Sequence, residues 1–241
     1  MRKLLSLLMV TVVSFTFGAS QLLAQDEAAG SGFQTLKQYF IEGDWRFMSL
    51  VLVCLILGLA FCIERIITLN VATTNTNKLL SRIDDNLKSG DLQGAMEVAK
   101  STAGPTASIL YEGLKNANKG PEAVEKAIVS YGSVQMGLLE KGLIWISLFI
   151  AIAPMLGFMG TVIGMIQAFD NIARVGDLSP SVVAGGIKVA LLTTVFGLIV
   201  AIILQIFYNY IISKIDSIVG KMEETSIGFV DVMANNNVFK H

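Results

Sequence analysis

Hydrophobic and polar positions divide this chain into apolar runs joined by patterned polar segments. Four runs carry no charge: Leu4–Phe17, Phe47–Ile63, Leu143–Phe169 and Val189–Ser213, of 14, 17, 27 and 25 residues. A helix needs about 20 apolar residues to cross a bilayer core, so the last two runs are long enough and the second is slightly short. The pattern predicts transmembrane helices over 47–69, 142–169 and 182–211. In the first of these the charged pair Glu64-Arg65 stands near one interface.

The run near the N-terminus reads differently. Arg2-Lys3 precedes it and "GASQLLAQDEAAG" follows, the order of a secretory signal peptide, which places a leader over 1–24 and exports the segment around Asp26. An uncleaved first membrane helix is the alternative, because the bulky Leu22 would lie three residues before the cut.

Segments between the runs are helical in period rather than strand-like. Over 25–46, Phe33, Leu36 and Phe40 recur at helical spacing, which predicts a short amphipathic helix at the membrane boundary with Trp45 as interfacial anchor. From Val71 to Lys141 the chain carries eight Lys/Arg and eight Asp/Glu, punctuated by Gly90-Asp91, Gly104-Pro105 and Gly120-Pro121. That is a soluble helical domain over 70–141. A short loop follows at 170–181, and the apolar period continues past the third span into 212–241, so spans two and three are expected to project as long helices.

The domain is assigned to the cytoplasm, since its eight Lys/Arg contrast with the single Arg of the short loop "DNIARVGDLS". An exported N-terminus, three spans and a cytoplasmic C-terminus fit together. The expected fold is an all-α membrane protein with three long transmembrane helices extending into a cytoplasmic helical domain.

Composition narrows the function. Mean hydropathy is +0.64 and only 15% of residues are charged, which places the chain outside the ordinary soluble range. With a net charge of −1 and no dense basic cluster, no footprint for nucleic acid exists. His241 is the single histidine, and Cys54 and Cys62 sit two turns apart on one apolar helix, so neither a metal site nor a disulfide is expected. No phosphate loop or nucleophile elbow is present; the chain is read as no enzyme, with no cofactor.

What remains is a set of polar and small residues inside the spans. Span two contains Pro154, Gly157, Gly160 and Gly164, which lower the helix surface for another backbone, together with Thr161. Span three offers Ala190, Thr194, Gly197 and Ala201 on one small-residue face, with Thr193 about 100° away and able to bond its own i−4 carbonyl. Each threonine could be a satisfied hydroxyl within a bundle, or the pair could line a polar passage. Lys188 either snorkels to the outer interface or pairs with a partner's carboxylate. Neither span contains an Asp or Glu, so a proton-carrying acid would have to come from another subunit.

"APMLGFMGTVIGMIQAF", "ALLTTVFGLIVAI" followed by "YN", and "ER" at 64–65 resemble the MotA/TolQ/ExbB ion-channel subunits over about residues 36–232, with ExbB the nearer likeness. The resemblance implies an inner-membrane homopentamer whose second and third spans line a pore. The single membrane helices of an ExbD-like partner, each carrying an aspartate, enter it. Proton or sodium flow would then energise a TonB-like protein for outer-membrane transport. Thr161 and Thr194 match the two threonines placed around that aspartate, with Thr193 beside them; Glu64, Arg65 and Lys188 are candidate interface contacts. One departure stands out: where relatives often carry a glutamate at the start of span three, this chain has Val189. A TolQ-like or gliding-type stator is the alternative, and a stand-alone solute transporter a more distant one.

Overall fold

The computed structural model describes residues 39–40, 43, 45–175, 180–236 and 238–239. The expected signal peptide, and the Phe33 and Leu36 positions of the expected amphipathic helix, lie outside the described residues. Those described are mostly helical, joined by turns and short irregular links such as residues 73–75, with no strand among them. Seven α-helices follow in order: α1 (Trp45–Ala72), α2 (Thr76–Lys88), α3 (Leu92–Ser101), α4 (Pro105–Lys115), α5 (Pro121–Glu140), α6 (Leu143–Val175) and α7 (Pro180–Asn235).

Three of them, α1, α6 and α7, contain windows long and apolar enough to cross a membrane. Most of their apolar surface faces outward: Ile56, Met155, Phe158, Ile166 and Ile202 are all more than half exposed. In water such a surface would be untenable, whereas against hydrocarbon it is the expected state. The helices pack as a triangle in which α6 and α7 form the most extensive pair and α1 lies along both. Gly58 of α1 lets Leu204 of α7 seat against its backbone, and Phe61 stacks on Trp145 and Phe149 of α6 at centroid distances of 6.3 and 6.2 Å.

The polar domain is built from short capped helices. Asn75 caps α2 by accepting from the Lys78 N–H at 3.1 Å, and Asp91 caps α3 by accepting from the Gly94 N–H at 2.8 Å. Proline in the first turn opens both α4 and α5. Gly104 holds φ at +122° where the chain folds back onto α1, and the Thr74 hydroxyl donates to the neighbouring Ala103 carbonyl. The core here is made of large side chains, among them Ile83, Leu110, Leu114, Phe229 and Met233.

The two expected long projections turn out differently. Helix α7 runs unbroken for 56 residues, about 84 Å at 1.5 Å per residue. Helix α6 does not continue into α5, because Lys141 and Gly142 leave the helical region, with φ at +89° for Gly142. The break lies against the buried Arg65: a Cβ on Gly142 would be in ordinary contact with its Nε, at 3.4 Å.

Candidate functional site: a hydroxyl cluster between α6 and α7

Glycine brings α6 and α7 to backbone contact. A Cβ on Gly157 would lie 2.8 Å from the Thr193 carbonyl oxygen and 3.0 Å from the Thr194 Cα; one on Gly197 would lie 2.6 Å from the Ala153 carbonyl oxygen. Gly160 faces the Thr193 side chain, and Gly164 faces Ala190, where a Cβ would meet the alanine methyl at 3.2 Å. Because lipid tails are as apolar as leucine, helices in a bilayer associate through such close packing and through hydrogen bonds. Pro154, half-buried one turn before Gly157, is accommodated inside α6.

Three hydroxyls meet in this seam. The oxygens of Thr161 and Thr194 stand 2.5 Å apart, each 3.1 Å from the Gly157 carbonyl oxygen. Thr193, fully buried, reaches the same carbonyl at 3.2 Å and its own i−3 carbonyl, Ala190, at 2.7 Å. Its bond therefore differs from the expected i−4 pattern: the residue is a tie between helices as well as a self-satisfied hydroxyl. Thr161 and Thr194 are half-buried.

Hydrogen bonding limits what this cluster presents outward. The Gly157 carbonyl has two lone pairs and already accepts the helical N–H of Thr161, so it has room for about one hydroxyl donor. Thr193 takes the shorter option at Ala190. Of the remaining pair, one hydroxyl donates to the other and the second donates to Gly157; exchanging the roles gives the same number of bonds. In either arrangement both hydrogens are consumed inside the cluster, so what the two half-buried hydroxyls have left to offer is lone pairs. A cation or a protonated carboxyl finds acceptors here, whereas a bare carboxylate finds no donor until a bond inside the cluster breaks.

The other candidate residues are placed elsewhere or play a packing part. Gly157, Gly160, Gly164 and Gly197 are all buried in the seam, while Ala201 is half-buried one turn beyond it. Lys188 is exposed on α7, six residues and about 9 Å of helical rise before Thr194. Glu64 and Arg65 form a two-pronged pair on α1, Nε to Oε2 at 2.7 Å and a terminal nitrogen to Oε1 at 2.8 Å. Arg65 lies against Gly142, which is 19 residues, about 28 Å of helix, from Thr161, so this pair belongs to the far end of the span. Cys54 and Cys62 are free and buried, and no cluster able to hold a metal occurs among the described residues.

Sequence reasoning missed the Gly157 carbonyl as the common acceptor and Gly186 as a further close contact with Ala168. A signal for the first was present: Gly186, Ala190, Thr193 and Gly197 follow at i, i+4, i+7 and i+11, a second small-residue stripe beside the one containing Thr194.

Three bilayer-length helices with a hydroxyl cluster at their tightest seam define a multi-pass membrane protein with a polar site inside its apolar layer. The sequence model of the MotA/TolQ/ExbB proton channel family matches residues 101–224, just over half of the chain and inclusive of the whole cluster, and the chain belongs to that family. Among its relatives, a putative biopolymer transport protein ExbB homolog of Methanothermobacter thermautotrophicus is 33% identical over 169 residues, spanning 70% of this chain and 60% of that protein. A putative biopolymer transport protein ExbB-like 3 of Synechocystis is 29% identical over 64% of this chain and 74% of its own length. The biopolymer transport protein ExbB of Salmonella typhimurium is 42% identical over 67 residues, 28% of each chain.

Proposed function

We propose that this chain is the pore-forming stator subunit of an ExbB-like, ion-driven inner-membrane motor. The observation that carries the reading is the Thr161–Thr194 contact on the Gly157 carbonyl, a pair of hydroxyls that already donate to one another and to that carbonyl, within two spans that contain no carboxylate. Five copies would enclose a pore with α6 and α7 as its wall. An ExbD-like single-span partner would bring the aspartate that takes and releases the proton or sodium ion, and a TonB-like protein would receive the work. The polar domain and both ends of α7's distal half would then lie in the cytoplasm, with the N-terminus outside.

The lone-pair geometry supplies a role for the threonines in this scheme. They stabilise the partner acid in its protonated or cation-loaded state and offer little to its free carboxylate, so an arriving ion favours docking and its departure favours release. Each charge crossing 100 mV makes about 2.3 kcal/mol available, so several ions would be needed for a large mechanical step. Biopolymer transport, the role named for the relatives, favours this over a TolQ-like envelope role.

Thr194→Val keeps the shape and removes the hydroxyl. In cells carrying the assembled complex, energised uptake through outer-membrane transporters is expected to be lost while the complex co-purifies in normal amount. Full uptake by that variant would remove the basis of the proposal.

A further inference from the structure

A second polar feature lies above the threonine cluster, toward the end of α6 at Val175. A cavity of about 440 Å³ opens in the polar domain, but the one that bears on the ion is smaller, about 310 Å³, and sits between α6 and α7. Gly164, Gln167 and Asn171 line it from α6, and Gly185, Gly186 and Val189 from α7. Among the described residues, none that lines it carries an ionisable side chain.

Three observations give this cavity a role. Gln167 and Asn171 are one turn apart on one face of α6, both exposed, and neither amide is hydrogen-bonded by another described residue. Second, the α7 wall opposite them is low: Gly186 packs directly against Ala168, where a Cβ would overlap the alanine methyl, and a Cβ on Gly185 would meet nothing within 4 Å, so the space beside it is open. Third, its inner end is close to the cluster. Gly164 is three residues from Thr161 and Val189 five from Thr194, rises of about 4.5 and 7.5 Å. At roughly 30 Å³ per water the space holds on the order of ten molecules.

We propose that this cavity is a hydrated antechamber in which a monovalent cation, hydronium or sodium, is held by amide oxygens before it reaches Thr161 and Thr194. The carbonyl oxygens of Gln167 and Asn171 replace part of the ion's water shell, and their amide nitrogens keep the surrounding waters in place. Val189 forms the apolar wall at the inner side. An uncharged chamber of this kind solvates a cation without trapping it, which a fixed carboxylate at Val189 would do. The ion therefore approaches through a gap within one subunit, between its own α6 and α7. This inference rests on the reading of the chain as an ion-conducting subunit.

The test uses the complete complex, with its partner, in membrane vesicles. Gln167→Cys, Asn171→Cys and Val189→Cys are each treated with a membrane-impermeant cationic thiol reagent from the side facing the cavity mouth, and both labelling and ion flux are followed. Ile166→Cys and Phe169→Cys, on the outward apolar face, are the comparison, and the unaltered protein with its buried Cys54 and Cys62 is the blank. Labelling is expected at the three cavity positions, slowed by high concentrations of the conducted cation, with a several-fold fall in flux. Ile166→Cys should resist labelling and Phe169→Cys should keep its flux. Absent labelling at the cavity positions, or labelling that leaves flux unchanged, overturns the antechamber, while loss of flux in Thr194→Val would leave the channel reading standing. Absence of flux in the untreated complex overturns both.

Discussion

Helix α7 passes through two regions that pack by different rules, though the same stripe is buried throughout. In the apolar half the buried positions are Ala190, Thr193, Gly197, Val200 and Leu204; the first three let α6 approach until backbones touch, and Leu204 seats against Gly58 of α1. In the polar half they are Ile211, Ile215, Ile218, Met222, Thr225, Phe229 and Met233, and all but Thr225 are large side chains that meet α2, α4 and α5 through bulk. The three- and four-residue steps continue across the change. In water, burial of large apolar groups drives association at about 25 cal/mol per Å². In a bilayer that driving force is absent between helices, and close packing with hydrogen bonds replaces it. The membrane half therefore tolerates a polar cluster at its centre, and the distal half anchors the helix that carries it.

The contrast is broken most severely at the backbone seam. Gly197→Leu places a side chain where even a Cβ would lie 2.6 Å from the Ala153 carbonyl oxygen, and no rotamer relieves contact with backbone. Loss of assembled protein is expected, read as the yield of intact complex in mild detergent. In the distal half the equivalent injury is a cavity. Phe229→Ala empties a fully buried site over Gly113 and is expected to cost about 3–5 kcal/mol of stability, with a lower melting temperature of the complex. Flux per assembled complex should be kept, since the seam is untouched; a loss of flux at full assembly would show that the two halves are not separable.

The smallest effect concerns the end of α7. Asp84 accepts from Lys88 at 2.6 Å and from the Asn236 amide at 2.9 Å, and these bonds hold its carboxyl below the usual range, the lysine contributing most. A folded-state value below the unfolded one means that this contribution is present above the ordinary carboxylate range and is lost as pH falls through the depressed value. Exchange protection of the last turns of α7 should therefore decline toward acid pH, and Asp84→Asn should flatten that decline. An unchanged profile in the variant would assign the acid response to other groups.

Much of this was legible in the sequence, because membrane spans announce themselves by length and composition and the small-residue stripes by period. Thr161 and Thr194 could be singled out as polar groups in apolar helices, yet which of two adjacent threonines faces the partner helix depends on the rotation of α7. Thr193 and Thr194 straddle the seam, and only the close approach at Gly157 and Gly197 fixes which is enclosed. The break at Lys141–Gly142 was hidden for a similar reason: the residues flanking it are good helix formers, and Gly142, which takes φ of +89° there, packs against Arg65, which is remote in sequence. Gln167 lies within the stretch that carries the resemblance and Asn171 two residues beyond it, yet neither stands out in the sequence; the two become a pair only where α6 faces α7.

The central claim is that Thr161 and Thr194 act as one unit on the ion. A double-mutant cycle tests it most directly, with Thr161→Val, Thr194→Val and the pair together, each read as ion flux in vesicles holding equal amounts of assembled complex. Residues acting as a unit are non-additive, so each single variant is expected to lose nearly all the flux that the double variant loses. A single variant with full flux, or two partial losses that multiply in the double, would contradict the account.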